Sequence, residues 1–386
     1  VPPENDIQNI SSWIFGENSG GAEYGRTPIS QVEQNYFIGS SVYNYGSIDQ
    51  TNVVSSGNFT GPTTISSLTT GSIIASDSTE VIESLNPVSF SVGNYTGSVT
   101  VTSMGDTLGS GNFDDNTYLR NFEITNDIYS LDGLGNHPAD YEAIGSLGSN
   151  SWSDASDGLV CGTYYPLRQE EILNSVRAYI TSSTVAQSEV ILYILDSLSF
   201  TSGLFSNSVF TSELYTVTAQ DVNNGYIDIP VANNIGWDPI NNTSTWENIT
   251  LGIGGYYAAI ELYSGGNTYD IRILDDNTVG QPAWSSAIWY PGDQAYSNGN
   301  AFAIRMNFGA SVDLVEKSAN KLHVFPNPSK DFVNITLENN LPSELILMNV
   351  SGGIILEKTF TNSSNINLSN LNNGIYLLYV SNNSQI

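Results

Sequence analysis

Cysteine is almost missing from this chain. Cys161 is the only one, so no intrachain disulfide can form and the fold must rest on core packing. An exported protein without disulfides points to a bacterial route rather than an animal secretory one. Basic residues are also scarce: 10 Lys and Arg face 39 Asp and Glu, a formal net charge of −29. That field repels a phosphate backbone and excludes nucleic acid as a partner. It suits solubility in a salty, calcium-containing medium. Charged residues of both signs make up only 13%, about half the usual share. The polar surface must then come from Ser, Thr, Asn, Gln and Gly, as in extracellular β-proteins. No run reaches the roughly 18 apolar residues of a membrane-spanning helix, so no direct membrane insertion is expected. The start, Val1-Pro2-Pro3-Glu4, has neither a basic n-region nor an apolar h-region. The expectation is a processed or truncated N-terminus.

Catalytic signatures are missing as well. The two histidines are His137, in Gly135-Asn136-His137-Pro138, and His323 near the C-terminus. They fall in different predicted units, so a Ser–His–Asp site would have to use His137 alone. No Gly-x-Ser-x-Gly elbow accompanies it. His137 reads as a turn residue and Cys161, after Leu159-Val160, as a buried inert thiol. There is no His-Glu-x-x-His, no P-loop and no dinucleotide fingerprint. A glycosidase needs only two carboxylates, but 39 acids single out no pair. The expectation is a non-enzyme.

What is present is β-structure. At 386 residues the chain is too long for one ordinary core. Helical periodicity is confined to a short candidate around Arg168 to Leu173. The rest is short β-branched or aromatic runs separated by Gly, Asn, Asp and Ser clusters, which predicts an all-β fold of tandem β-sandwiches. Residues 1–23 read as an N-terminal arm or linker, whose Trp13 and Phe15 would suit strand donation to a neighbour. Residues 24–128 offer about seven strands, the size and spacing of an immunoglobulin-like sandwich. Residues 129–309 offer ten, suggesting a larger sandwich of jelly-roll type. Residues 310–320 read as a linker and 321–386 as a small C-terminal sandwich.

Two of these units carry resemblances. Val42-Tyr43-Asn44-Tyr45-Gly46, Val92-Gly93-Asn94-Tyr95-Thr96 and Asp115-Asn116-Thr117 with Arg120-Asn121-Phe122 resemble the cell-adhesion-related immunoglobulin-like modules of bacterial surface proteins. The last unit opens with Leu322-His323-Val324-Phe325-Pro326-Asn327-Pro328. It continues through the strand Phe332–Leu337, the turn Ser351-Gly352-Gly353 and the run Gly374-Ile375-Tyr376. This succession resembles the type A C-terminal sorting domain of type IX secretion cargo, from Lys321 to Ile386. Such domains usually end in a further short strand and a basic tail, where this chain has Ser384-Gln385-Ile386. The region before it looks like the β-sandwiches that precede sorting domains in other such cargo. The resemblance implies passage through the periplasm and the translocon of a Gram-negative bacterium. It also implies contact with the attachment machinery and an outer-surface or extracellular location.

Site expectations follow. Asp275 and Asp276 are the candidate pair for structural calcium, with Asp114-Asp115-Asn116 and Asp154 with Asp157 as weaker oxygen-rich clusters. Trp284, Trp289 and Tyr290, with Tyr296, could form a carbohydrate platform by ring stacking. Ser78, Thr107 and Ser197 sit in the triplets Asp77-Ser78-Thr79, Asp106-Thr107-Leu108 and Asp196-Ser197-Leu198, which resemble the Asp–Ser/Thr–apolar O-glycosylation site of the bacterial phylum using type IX secretion. Together these features predict a secreted or cell-surface structural or binding protein, with adhesive or polymer-forming roles as candidates. Its partners would be the secretion machinery, further copies of itself, or surface glycans. The alternatives are the accessory C-terminal region of a truncated secreted hydrolase, or a carbohydrate-binding protein.

Overall fold

Along Ile7–Gly16 the buried side chains are Ile7 and Asn9 and then, past a bulge between Asn9 and Ser11, Ser12, Ile14 and Gly16, and the segment is a strand, β1. The computed structural model describes residues 2–151, 157–238, 243–309, 322–325, 329–337, 342–349 and 353–382. In it the chain is all-β. Val1–Ser311 forms one compact unit and Val312–Ile386 a second.

The first sandwich adds β2 (Arg26–Pro28), β3 (Asn35–Asn44), β4 (Val54–Thr60), β5 (Thr64–Thr70), β6 (Thr79–Pro87), β7 (Gly93–Thr102) and β8 (Thr117–Thr125). One sheet has the order β1-β3-β6 and the other β2-β8-β7-β4-β5. β2 runs parallel to β8, while the remaining pairs are antiparallel. Between the sheets lie Ile14, Ile38, Phe59, Ile65, Val99 and Ile124. Tyr95 stacks on Phe122 there, 5.1 Å between ring centroids.

Three sequence expectations need correction here. The N-terminal segment is no free arm: β1 pairs with β3 from Ile7↔Asn44 to Gly16↔Tyr36. Its backbone donors are used within the chain, which removes strand donation to a neighbour. The run Thr79–Pro87, which its residue pattern does not single out, is the edge strand β6. Around Arg168 the chain makes no helix, and Glu171–Leu173 pairs as a strand with Ile249–Leu251.

The second sandwich is built on a seven-stranded sheet. Its centre is Glu189–Asp196, Gly254–Tyr263, Leu159–Leu167 and Ser286–Trp289. Leu159–Leu167 is buried at nearly every position, as a central strand covered on both faces must be. One face packs Leu192, Ile260, Ile304 and Met306 into the main core. The other packs Tyr257, Ala259 and Ala287 under the short helix Ser197–Thr201, through Phe200.

The boundary expected at residue 128 does not separate two bodies. Ile128–Tyr129 is itself a strand of the second sandwich, paired with Ile304–Asn307. Buried Gln31 donates to Glu171 Oε1 at 3.0 Å and accepts from the Arg168 N–H at 2.7 Å. Tyr24 donates to the Tyr164 carbonyl at 2.8 Å. Arg168 pairs with Glu33 at 2.8 Å. Directional bonds to buried groups fix one geometry where apolar contact alone would allow sliding.

Among its described residues the C-terminal unit is a small sandwich of three strands on three. Leu322–Phe325, Phe332–Leu337 and Ser363–Asn367 form one sheet; Pro342–Asn349, Ile354–Thr361 and Tyr376–Asn382 form the other. Val333, Ile335, Leu345, Leu347, Phe360 and Ile366 make its core.

Candidate functional site

The outer face of sheet β1-β3-β6 gathers side chains that the sequence scatters over about 75 residues. Registers place Phe15, Phe37 and Leu85 in one row across the three strands. Trp13, Gly39 and Glu83 form the next row, and Ser11, Ser41 and Val81 the third. Gly39 has a local reason. A Cβ there would lie 2.4 Å from Glu83 Cβ and 2.7 Å from the Ile82 carbonyl oxygen. The bare backbone lets the Trp13 indole cross the middle strand and donate to Glu83 Oε2 at 3.0 Å. Phe15 and Phe37 lie 5.5 Å apart by ring centroids. Val81 and Leu85 are 56% and 42% exposed, so the β6 side is open to solvent. At the far end of β3, Tyr43 packs edge-on to Tyr45 and donates to Asp77. The signal for this face was the period-two run Ser11-x-Trp13-x-Phe15 against Val81-x-Glu83-x-Leu85. It was missed because β1 and β6 were not read as strands of one sheet.

The expected carbohydrate platform is not assembled. Trp289 packs with Phe205 on one face of the central sheet of the second sandwich. Tyr290, the next residue, packs against the main core on the other. Trp289 ends the strand Ser286–Trp289, and the two rings join different clusters, so they do not share a surface. Trp284 is exposed at a left-handed turn with φ 73°, and exposed Tyr296 is held by Asp293.

The calcium pair is not assembled either. Asp275 and Asp276 are successive residues of the strand Arg272–Asp276. Their carboxylates are filled by donors rather than aimed at a common ion. Asp275 accepts from Asn298 at 2.9 Å and Asn300 at 3.1 Å. Burial pushes its carboxyl above the usual range. Asp276 accepts from the Gly133 N–H at 2.7 Å, the Thr278 N–H at 3.0 Å and His137 Nε2 at 2.6 Å. Burial opposes ionisation there, but these donors outweigh it and hold the carboxyl below its ordinary value. Asp157 binds the Ser264 backbone and hydroxyl instead of an ion. Asp154 lies outside the described residues.

His137 is thus more than a turn residue: its ring is closed against Asp276 with both side chains nearly buried. Beside it, Asp132 receives Arg305 Nε at 2.9 Å and stands 3.9 Å from Arg26. Cys161 is fully buried in a central strand, and burial pushes its thiol well above the usual range.

For the triplets, Thr107 and Ser197 are exposed while Ser78 is half-buried. The Asp of each exposed triplet is tied down: Asp106 accepts from the Ile7 N–H at 3.0 Å, and Asp196 caps the helix through Ser199 at 2.9 Å. In the C-terminal unit Tyr376 donates to the Asn372 carbonyl at 2.7 Å, and Gly374 is exposed with nothing near a Cβ. Pro326, Asn327, Pro328 and Gly352 lie outside the described residues, as does the expected linker 310–320.

Residues 323–386 match the family described as secretion system C-terminal sorting domain. No curated protein matches the chain. The tail therefore marks a secreted type IX cargo, whose partner is the secretion machinery and whose destination is the cell surface or the extracellular space. No helix among the described residues is long and apolar enough to cross a membrane.

Proposed function

We propose that the protein is a cell-surface binding module, delivered by its sorting domain, that contacts its target through non-catalytic surfaces of residues 1–311. The sorting-domain match carries the reading, because it supports export of residues 1–311 to the cell surface or the extracellular space. The internal chemistry supports binding over catalysis. His137 is shut against Asp276, and the Cys161 thiol is buried away from solvent. A nucleophile or base needs an open approach to substrate, and neither side chain has one. An adhesive role fits the aromatic outer face of the first sandwich. Thr107 and Ser197 are the proposed glycan acceptors, since a modifying enzyme can reach both hydroxyls.

Fractionation of the expressing bacterium tests this. The full chain is expected on the surface or in the medium, and a chain lacking residues 323–386 is expected to stay in the periplasm. Equal surface display of both would defeat the reading, as would turnover of a chromogenic ester or glycoside by the purified chain. Peptide mass analysis should find added hexose mass at Thr107 and Ser197 but not at Ser78.

A further inference from the structure

Charge is unevenly spread along the chain. Residues 1–311 hold 33 of the 39 acidic residues, six arginines and no lysine. Each arginine is engaged internally. Arg26, Arg120, Arg168, Arg177 and Arg305 make ion pairs. Arg272 donates to Ser146 Oγ at 3.1 Å and to the Ser146 carbonyl at 2.7 Å. Among the described residues this unit offers no free cationic side chain to a phosphate, a sulfate or a uronate, and its field repels all three.

Against that background we propose that the outer face of sheet β1-β3-β6 is a binding site for a neutral polysaccharide. It deepens the reading of the protein as a surface binding module and rests on it. Three observations select this ligand class. First, the face pairs aromatic rings with an oriented carboxylate. Trp13, Phe15 and Phe37 supply ring surfaces whose negative π-clouds attract the polarised C–H bonds of a sugar ring. Glu83, held by the Trp13 indole at 3.0 Å, is an acceptor able to take sugar hydroxyls. Second, the middle strand carries no side chain at Gly39, so the Trp13 ring can lie across it and reach Glu83. Third, its size suits a chain of sugars and not a protein. Two inter-strand spacings give a width of about 10 Å, and five residues of strand give a length of about 17 Å. That is about 170 Å², a fifth of the roughly 800 Å² per partner in a stable protein interface. A second copy of this polyanionic chain is disfavoured by both area and charge.

Affinity electrophoresis of the full chain tests the proposal, with native gels containing hydroxyethylcellulose, xylan, galactomannan or dextran. At least one polymer is expected to slow the protein twofold or more. Trp13→Ala should abolish that retardation, and Glu83→Gln should weaken it severalfold. Val81→Arg, an exposed position on the same face, should also abolish it and guards against misfolding of the Trp13 variant. Trp284→Ala should leave it intact. Unchanged melting temperatures establish that the variants are folded. Free migration in all four gels would overturn the proposal, as would retardation that survives both Trp13→Ala and Val81→Arg. Retention by heparin or polylysine alone, lost in high salt, would overturn it too. Mislocalisation in cells would defeat the surface reading while leaving gel retardation unchanged, so the two failures are distinguishable.

Discussion

His137 donates its Nε2–H to Asp276 Oδ2 across 2.6 Å, with both side chains nearly buried. The bond ties the loop following the first sandwich to a strand of the second. It holds the Asp276 carboxyl below its ordinary value, together with the Gly133 and Thr278 N–H groups. A depressed folded-state value contributes stability above the unfolded value, near pH 4, and loses it as pH falls. Asp276→Asn should therefore unfold more easily at pH 6, by about 2–4 kcal/mol. Its stability should fall less steeply than the wild type below pH 4, read by urea denaturation at several pH values.

Glu23 works in the opposite direction. Burial pushes its carboxyl up by more than Arg120 and the Ile14 N–H pull it down. Its contribution is fully present below the ordinary carboxyl range and declines as pH rises through it. Glu23→Gln is expected to gain stability relative to wild type as pH is raised from 4 to 7. Paired denaturation curves at these two values decide it, and a gap that widens against the variant would sink the idea.

Arg305 is the cation that neutralises Asp132, which has no exposed side-chain surface. Its guanidinium also lies over the Tyr179 ring at 4.3 Å. Arg305→Met leaves the buried carboxylate with Arg26, 3.9 Å away, as its remaining cation beside the Ser130 hydroxyl and the Leu134 N–H, and should cost about 3–5 kcal/mol. Adding Asp132→Asn to that variant should recover part of the loss. A double-mutant cycle in urea measures the coupling.

Gly39→Ala would push a methyl group into Glu83 Cβ and the Ile82 carbonyl. The expected cost is about 1–3 kcal/mol, typical of overpacking. Trp13 should lose its partner at the same time, seen as a shift in tryptophan emission. A variant as stable as wild type would refute the crowding argument.

Cys161 pairs across to Ile260 and Ile288 in the middle of a sheet and is fully buried. A thiol reagent at pH 8 should leave it unmodified in the native protein and label it fully in urea. Labelling in urea-free buffer should proceed only at the global unfolding rate.

Much of the fold was legible in the residues themselves. The strand Phe332–Leu337 was readable to the residue, because clean alternation is bounded there by turn formers. The ordered motifs of the tail carried the export route. The candidate binding face was not legible. Trp13 and Glu83 are 70 residues apart, and only the antiparallel registers of β1 and β6 on β3 put them in one row. The apparent sites misled because chemistry-bearing residues adjacent in sequence, such as Asp275 with Asp276, point to opposite faces of a strand.

By itself, the sequence determined an all-β protein with a polyanionic surface, no disulfide and an exported destination. These follow from composition and local period, which act within a few residues. Only the tertiary structure decided that the N-terminal segment is an internal strand and that the two larger sandwiches share one body. It also decided which aromatic rings meet a carboxylate. Those outcomes depend on strand register and on long-range pairing of buried polar groups, such as Gln31 with Glu171 and Asp132 with Arg305. Register is set by which faces can be buried together, and that is a property of the whole chain.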